Sequence, residues 1–297
     1  MDGVLNLLKP PGMTSSNAVV DVRRLLCEKS VGHAGTLDPG AAGVLPVCVG
    51  KATRLFSYLT EKEKEYRAEI TFGIATDTLD AYGKIVQRAE TCVTKEQLLG
   101  VLPGFLGEQV QLPPMYSAVK LEGKKLYELA RKGETADLTG RARRVTIHAL
   151  ELAGQTGPQS FLLDIRCSKG TYVRTLCEDI GKALSAPAYM SFLLRTRSGS
   201  FSIENAVTMA ELKEHAAFGR AEALLTPMDR AVGFLPKAEA DPAWFERLKN
   251  GNPVPGEALL LPVPQGVPLR VYCAGKFIGL GEWDESALRL KTMLYNE

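Results

Sequence analysis

The stretch Gly32-His-Ala-Gly-Thr-Leu-Asp-Pro-Gly-Ala-Ala-Gly43 carries four glycines in twelve residues and one acidic side chain, that of Asp38. Pro39 biases the backbone of Asp38 toward an extended conformation, and Gly40 can adopt a positive φ angle. The twelve residues therefore predict a tight loop that presents Asp38. Asp-Pro-Gly turns also occur in many proteins without a catalytic role, so the turn alone does not establish a function.

Glycine-rich loops also bind phosphate, but this chain lacks the spacing that such loops need. Gly50-Lys51 has no glycine five residues upstream, and Ala52 stands where a P-loop has Ser or Thr. No Gly-x-Gly-x-x-Gly follows a predicted strand either. The sequence thus argues against the nucleotide-cofactor classes.

The segments on either side of the loop have strand patterns. Asn6 to Thr14 predicts a strand that ends in a Lys-Pro-Pro-Gly-Met-Thr turn, and Ser15 or Ser16 can cap the helix that follows. The apolar run from Val44 to Val49 suits a short buried strand. The loop of Asp38 is therefore predicted to lead from a helix into the core.

The run from Lys64 to Gly73 alternates between an apolar and a polar face. The apolar face carries Tyr66, Ala68, Ile70 and Phe72. Tyr66 is therefore predicted to point inward, toward the core or a cleft. On periodicity alone, an ordinary core position is the better interpretation of this tyrosine.

Later segments predict more helices and a further strand. Capping-box spacing at Thr94 and Thr208 predicts two helix starts. Phe161 to Cys167 predicts a strand, and a turn at residues 168–170 leads into a helix with Arg174 in its first turn. Because no regular βαβ rhythm is present, residues 1–232 predict an α+β domain, with a mostly antiparallel mixed sheet flanked by helices.

After about residue 233 the pattern changes to proline-rich loops and a predicted hairpin, in which Leu269 to Ala274 turns at Gly275-Lys276 into Phe277 to Leu280. We therefore predict a small β-rich domain over residues 233–297. It has seven basic and eight acidic residues. Bulk electrostatics therefore cannot hold RNA on it.

The six cysteines form no C-x-x-C pair, and the three histidines have no i, i+4 spacing. We predict no metal centre, no disulfide framework and a reducing compartment. The start of the chain lacks a signal-peptide pattern, and no run of eighteen apolar residues occurs. These features predict a cytoplasmic protein without a membrane partner.

Basic residues concentrate between Lys120 and Arg144. This segment has eight Lys or Arg against four acidic residues, a charge of +4 in a chain whose net charge is +2. A solvated helix face with an exposed loop is as good an explanation as RNA binding on charge alone.

The glycine-rich stretch closely resembles the signature around the catalytic aspartate of the tRNA pseudouridine-55 synthases, the TruB family. Further matches follow in the family's order over roughly residues 3–230. They are Leu8-Lys-Pro-Pro-Gly-Met-Thr-Ser15, Lys64-Glu-Tyr66, Thr76-Asp-Thr-Leu-Asp80, Pro113-Pro-Met-Tyr-Ser-Ala-Val-Lys120, Gly170-Thr-Tyr-Val-Arg174 and Leu193-Leu-Arg-Thr-Arg-Ser-Gly-Ser-Phe201. Agreement of several motifs in order and spacing makes the resemblance specific.

The resemblance implies an isomerase that flips uridine 55 out of the T arm of tRNA, detaches it at N1 and rejoins it through C5. It implies Asp38 as the nucleophile, Arg174 as the partner of its carboxylate and Tyr66 as the aromatic that stacks on the extruded base. Attack by Asp38 at C6 or action at C1′ are both compatible with the sequence. A rearrangement of this kind needs no cofactor.

The resemblance also implies the remaining substrate contacts. His33 would fill the gap left by the flipped base, Tyr172 and Leu193 would line the base, and Asp80 would orient Arg174 or the tyrosine. Lys9 and Lys120 would lie at the RNA backbone. The residues from about 113 to 144 correspond to an RNA-binding insertion, and residues 233–297 resemble a short RNA-binding domain of the PUA type.

Three alternatives follow from the same residues. A guide-RNA-dependent synthase shares the aspartate motif but typically carries long basic extensions and a fuller barrel, so we predict an enzyme that acts without guide RNA. The sequence has no signal for the oligomeric state, and a monomer is the default expectation. A non-catalytic RNA-folding protein is disfavoured by Asp38, Tyr66 and Arg174 together, although assistance to tRNA folding can coexist with catalysis. A carboxylate hydrolase would need a second acid beside Asp38, for which Asp80 is the candidate.

Overall fold

The computed structural model describes residues 1–117, 119–121, 123–134 and 138–295. In these residues the helices are α1 Ser15–Leu25, α2 Phe56–Thr60, α3 Lys95–Val101, α4 Leu126–Arg131, α5 Val173–Ala183, α6 Met209–Ala217, α7 Met228–Ala231 and α8 Phe245–Lys249. The strands are β1 Gly3–Lys9, β2 Val31–His33, β3 Ala42–Val49, β4 Lys64–Phe72, β5 Ile74–Thr76, β6 Ile85–Arg88, β7 Gly107–Gln111, β8 Lys120–Leu121, β9 Lys124–Lys125, β10 Arg143–Gly157, β11 Ser160–Cys167, β12 Ala188–Ser198, β13 Phe201–Ser202, β14 Leu225–Thr226, β15 Lys237–Ala240, β16 Val254–Pro255, β17 Pro268–Cys273, β18 Lys276–Trp283 and β19 Ala287–Met293.

A large mixed sheet forms the body of the molecule, in the order β14-β1-β3-β12-β4-β11-β10-β7. Neighbouring strands are antiparallel except at β12 and β3, where Leu194 pairs with Ala42 and Arg195 with Gly43 in parallel. A mostly antiparallel mixed sheet flanked by helices is therefore confirmed. β12 lies between β3, which follows the Asp38 loop, and β4, which carries Tyr66.

The apolar face predicted for β4 is confirmed, because Ala68, Ile70 and Phe72 are buried in the main core. Cross-strand register places Ala68 beside Leu193 of β12. Tyr66 is partly buried and packs against the same core. The inward direction of Tyr66 therefore follows from the period-two pattern of its strand.

The start of α1 differs from the prediction. Thr14, rather than Ser15 or Ser16, is the N-cap, because its backbone is extended and its side chain accepts a hydrogen bond from the backbone N–H of Asn17. Ser15 is buried and bonds to Leu37 instead. Both predicted capping boxes are confirmed, at Thr94 of α3 and Thr208 of α6.

A second sheet follows, in the order β15-β17-β18-β19-β16. The predicted hairpin between β17 and β18 is confirmed, with Ala274 and Gly275 at φ angles of 50° and 74° in its turn. This sheet has a core of its own, and Leu280 of β18 and Leu294, which follows β19, also pack into an apolar cluster with Val44 of β3. The two sheets are therefore in direct apolar contact.

The described residues between β7 and β10 form a short hairpin of β8 and β9, followed by α4. Leu126 and Leu129 of α4 are buried. Lys124 and Arg141 are exposed. Basic side chains of this segment therefore face the solvent while its apolar residues pack inward.

In the part of the chain that the structure describes, the helices are all too short or too polar to cross a lipid bilayer.

Candidate active site

The loop that presents Asp38 is fixed on both sides of this residue. Ser15 donates a hydrogen bond from Oγ to the carbonyl of Leu37 and accepts one from its N–H, each at 2.9 Å. The N–H of Gly12 donates to the carbonyl of Pro39 at 2.8 Å. The backbone of Asp38 is thus held between the turn after β1 and the first residue of α1.

Asp38 forms an ion pair with Arg174, from the first turn of α5. The distance from Oδ2 of Asp38 to Nη2 of Arg174 is 2.9 Å, and the side chains are 39% and 5% exposed. A carboxylate that is partly accessible while its partner is buried can still meet a substrate. The pair therefore fixes the direction of the carboxylate without covering it.

Further contacts make the position of Arg174 specific. Its guanidinium donates to the carbonyls of Thr78 and Tyr116, both at 3.0 Å, and lies 3.8 Å from a carboxylate oxygen of Asp80. Asp80 therefore lies beside Arg174, one of the two residues that it was predicted to orient. A surface position for Arg174 is excluded by these contacts.

A second buried guanidinium lies beneath the loop. Arg195 of β12 is 1% exposed and donates to the carbonyls of Val44 at 2.7 Å, Gly35 at 3.0 Å and Thr36 at 3.3 Å. In the sheet it is the cross-strand neighbour of Tyr66 on β4. Arg195 thus joins the aspartate loop to the strand that carries the tyrosine.

Tyr66 is partly buried, and its surroundings change the pKa of its phenol. Burial raises the pKa of Tyr66 above its ordinary value, and the Arg195 guanidinium only partly offsets this. The hydroxyl is therefore protonated near neutral pH. Its ring borders the cavity in which the carboxylate of Asp38 lies.

The cavity has a volume of about 400 Å³. Its walls bring together residues from the loop, β4, β12 and the start of α5. They include Asp38, Tyr66, Tyr172, Arg174, Leu193 and Arg195. The sequence-predicted nucleophile, its arginine, the tyrosine and the two predicted base-lining residues therefore meet in one cavity.

Tyr172 is held by its backbone rather than by its ring. Its N–H donates to Oε1 of Gln111 at 2.9 Å, and its carbonyl accepts from Nε2 of the same side chain at 3.3 Å. Gln111 is buried at the end of β7. The edge strand of the sheet thus sets the position of the cavity wall.

Positive charge surrounds the cavity. Lys169 and Arg143 border it, and Lys169 is paired with Glu61. Lys64 also borders it and is buried, and this burial lowers the pKa of Lys64 to about 8. Arg143 is exposed at the start of β10. An anionic substrate would therefore meet cations around the carboxylate of Asp38.

The prediction that Lys9 lies at the RNA backbone is not supported by its position. The side chain is fully buried, and its ammonium donates to the carbonyls of Met13 at 2.7 Å, Pro10 at 2.8 Å and Pro39 at 3.4 Å. Lys9 therefore joins the turn after β1 to the Asp38 loop. Desolvation lowers the pKa of Lys9 to about 8, with Asp38 acting in the opposite direction.

Among the described residues, His33 does not border the cavity. His33 lies at the end of β2, and its Nδ1 has no hydrogen-bond partner among the described residues. Burial, with a further effect of Arg195, lowers the pKa of His33. Lys120 belongs to β8, but its side chain lies outside the part of the chain that the structure describes.

Sequence reasoning missed Arg195, Lys64 and Gln111. Each is a polar residue at a buried position in or beside a strand. The available signal was the strand pattern itself, because Arg195 follows the buried Leu193 two positions later on the same face. A charged residue at an inward strand position needs partners, and here they are backbone carbonyls of the aspartate loop.

Among the described residues, no cluster of three or more His, Cys, Asp or Glu side chains is arranged to hold a metal ion.

Comparisons with known proteins agree with this geometry. The family model described as TruB family pseudouridylate synthase (N terminal domain) matches residues 23–173. A second one, described as tRNA pseudouridylate synthase B C-terminal domain, matches residues 174–233. Fold, site and these matches define the chain as a pseudouridine synthase, which is an isomerase. The chain belongs to the TruB family.

Two relatives show the extent of the similarity. A protein named tRNA pseudouridine synthase B from Caldanaerobacter subterraneus subsp. tengcongensis is 52% identical over 253 residues, which cover 85% of this chain and 86% of the relative. A protein of the same name from an Azoarcus species is 45% identical over 294 residues, covering 99% of this chain and 95% of the relative.

Solved structures share the fold. A chain of a Cbf5-Nop10-Gar1 complex is 29% identical with a TM-score of 0.75, over 98% of this chain and 84% of that chain. A chain of an H/ACA RNP bound to a substrate RNA containing 2′-deoxyuridine is 25% identical with a TM-score of 0.77, over 99% of this chain and 85% of that chain.

Proposed function

We propose that this enzyme isomerises the uridine at position 55, in the T arm of tRNA, to pseudouridine, with Asp38 as the nucleophile. The observation that carries the proposal is the 2.9 Å ion pair between Asp38 and the buried Arg174 in a cavity bordered by Tyr66. A carboxylate suits the task because it can form a covalent adduct and leave again. Relatives named tRNA pseudouridine synthase B support tRNA as the substrate.

The base must leave its stack to reach Asp38, because neither C1′ nor C6 can be attacked within a helix. The volume of about 400 Å³ lies within the usual range for small-molecule sites. In the proposal, the ring of Tyr66 stacks on the extruded uracil, while Leu193 and Tyr172 form the other walls. The protonated phenol suits stacking and hydrogen-bond donation rather than proton removal.

Arg174 acts on the carboxylate rather than on the RNA. Its guanidinium is fixed by two carbonyls and by Asp80, so that the carboxylate of Asp38 meets a rigid partner. Preorganised charge of this kind needs no rearrangement when the adduct forms. In the same way, Asp80 is a partner of a cation rather than the second acid of a hydrolase.

Exposed cations near the cavity are the proposed contacts to the phosphate backbone. They include Arg143 and Arg144 at the start of β10 and Lys124 of β9. In the proposal, the enzyme acts in the cytoplasm as a monomer, needs no guide RNA and also assists tRNA folding. The closer similarity to proteins named tRNA pseudouridine synthase B than to chains of H/ACA complexes supports direct action on tRNA.

Replacement of the nucleophile tests the proposal. We expect Asp38→Asn to abolish turnover and to leave the affinity for tRNA within a few-fold of wild type, because the change removes a nucleophile but preserves the shape of the side chain. Tritium release from a tRNA transcript with 5-tritiated uridine, without any added guide RNA, measures turnover. Filter binding measures affinity.

Asp21→Asn is the matched control, because Asp21 is a carboxylate of α1 that pairs with Arg24 and does not border the cavity. It should release tritium at the wild-type rate. Appreciable tritium release by Asp38→Asn would contradict the assignment of the nucleophile. Release from a uridine other than the one in the T arm would contradict the proposed position.

A further inference from the structure

Tyr82 is an exposed aromatic residue beside the candidate active site. It lies in the turn between β5 and β6, and 71% of it is exposed. It does not border the cavity itself. Exposure of an aromatic ring to water is unfavourable, so the groups around Tyr82 indicate which kind of partner could cover the ring.

The ring of Tyr82 lies directly against Gly40. A Cβ atom on Gly40 would overlap the ring at Cε2. Gly40 is two residues from Asp38, so the two Cα atoms are at most about 7 Å apart. One side of the tyrosine thus covers the backbone of the aspartate loop, and much of its remaining surface is open to solvent.

The turn that carries Tyr82 is well anchored. The N–H of Tyr82 donates to Oδ1 of Asp80 at 3.0 Å, and the hydroxyl of Thr78 donates to the same oxygen at 2.6 Å. The N–H of Met190 in β12 donates to the carbonyl of Leu79 at 3.1 Å. Because Asp80 also faces Arg174, the turn and the nucleophile share one network.

The charges around Tyr82 disfavour a phosphate as its partner. Asp77 and Asp80 lie in the same turn, and each accepts a backbone N–H, while Asp80 also faces Arg174. The carboxylate of Asp77 would repel a phosphodiester at this position. A nucleobase is uncharged and presents a flat face, which an exposed aromatic ring can stack on.

We propose that Tyr82 stacks on a nucleobase that flanks the target uridine in the RNA, outside the cavity. The inference rests on the proposed function, because it needs an RNA whose target base is bound at Asp38. When that base enters the cavity, its neighbour loses a stacking partner. The ring on the aspartate loop offers a replacement surface near the point where the strand is opened.

Binding measurements test the contact. We expect Tyr82→Ala to weaken binding of a T-arm hairpin by roughly tenfold, the effect of losing one stacked base, whereas Tyr82→Phe should bind like wild type. Phe218→Ala is the control, since Phe218 is 69% exposed and does not border the cavity. Because the side chain of Tyr82 is exposed, the free energy of unfolding should stay unchanged in all variants.

Photocrosslinking locates the contact without relying on affinity. A hairpin carries a 5-iodopyrimidine at the position before or after the target uridine, and irradiation joins it to an adjacent aromatic ring. After trypsin cleavage, Tyr82 is the sole tyrosine of the peptide Ala68–Lys84. We expect the adduct on Tyr82 in one of the two hairpins and its loss in Tyr82→Ala.

The outcomes separate the two hypotheses. If wild type converts the hairpin but forms no adduct on Tyr82, and Tyr82→Ala binds normally, stacking by Tyr82 is overturned while the proposed function stands. If wild type neither binds nor converts the hairpin, the proposed function is overturned, and this inference with it. An adduct on Tyr82 together with the tenfold loss supports both.

Discussion

At the scale of single residues, buried cations organise this site. Arg174 faces the nucleophile, Arg195 lies under its loop and Lys9 joins the loop to the turn after β1. Each of them donates to backbone carbonyls, so charge is placed where it also satisfies the main chain. The position of the carboxylate therefore depends on how these cations are held by the main chain.

Arg195 is expected to be a positioning residue. Arg195→Lys and Arg195→Met should lower kcat by roughly 100-fold with little change in KM, because neither replacement can donate to all three carbonyls that Arg195 contacts, and small displacements of reacting groups are costly. Single-turnover kinetics and filter binding measure the two effects. Lysine should retain more activity than methionine. An equal loss of affinity and kcat would instead indicate direct contact with RNA.

Lys64 gives a pH-dependent contribution to stability. Burial lowers the pKa of Lys64 to about 8 in the folded state, against about 10.5 when unfolded, so the unfolded chain binds more protons between these values. Its contribution to the free energy of unfolding should therefore rise with pH from about 8 to 10.5.

Urea unfolding of wild type and Lys64→Met at pH 7 and pH 9 measures this contribution. Wild type should gain stability relative to the variant at the higher pH. The same substitution at the exposed Lys124 is the control. If the difference in the free energy of unfolding between wild type and Lys64→Met is independent of pH, the lowered pKa of Lys64 is contradicted.

At the scale of elements, local patterns predicted most of the strands and helices around the site. The alternation in β4 and the capping boxes of α3 and α6 were sufficient to predict these elements, because each pattern depends only on residues close together in the sequence. The cap of α1 was not predictable in the same way. Ser15 and Thr14 both suit a cap, and the contact between Ser15 and Leu37 is decided by tertiary structure.

The hydrogen bonds between Ser15 and Leu37 lead to a prediction about the stability of the protein. Ser15→Ala should lower the free energy of unfolding by about 2 kcal/mol, because it removes the partner of a buried N–H and a buried carbonyl of Leu37. Ser16→Ala is a matched control at an exposed position of the same helix. Urea unfolding measures both. Equal stabilities of the two variants would show that Leu37 finds another partner.

The residues of the site were likewise predicted unevenly. Asp38, Tyr66 and Arg174 belong to motifs with a recognisable sequence, and the structure brings them together. Lys9 lies in such a motif too, but its burial depends on how the turn after β1 meets the aspartate loop. A residue type in a motif therefore predicts proximity to the site better than it predicts which group the side chain binds.

At the scale of the whole molecule, we expect the distribution of charge to determine how RNA is held. Replacement of Lys124, Arg143 and Arg144 by glutamine should lower the slope of log affinity against log salt, because each lost phosphate contact removes about 0.7 to 0.9 from it. Equal neutralisation of Lys95, Lys213 and Arg220, which are exposed and do not border the cavity, is the control. An unchanged slope in the first variant would show that this surface faces away from RNA.

The position of β12 in the large sheet also affects the order in which the active site can form during synthesis and folding. β12 separates β3 from β4 and supplies Arg195, yet it follows β3 by about 150 residues of chain. At typical translation rates, about 8 to 30 seconds pass between the emergence of the two strands from a ribosome. The aspartate loop is thus synthesised early, but Arg195 of β12, which binds its carbonyls, is synthesised late. Catalytic activity should therefore be among the last properties that a nascent or refolding chain acquires.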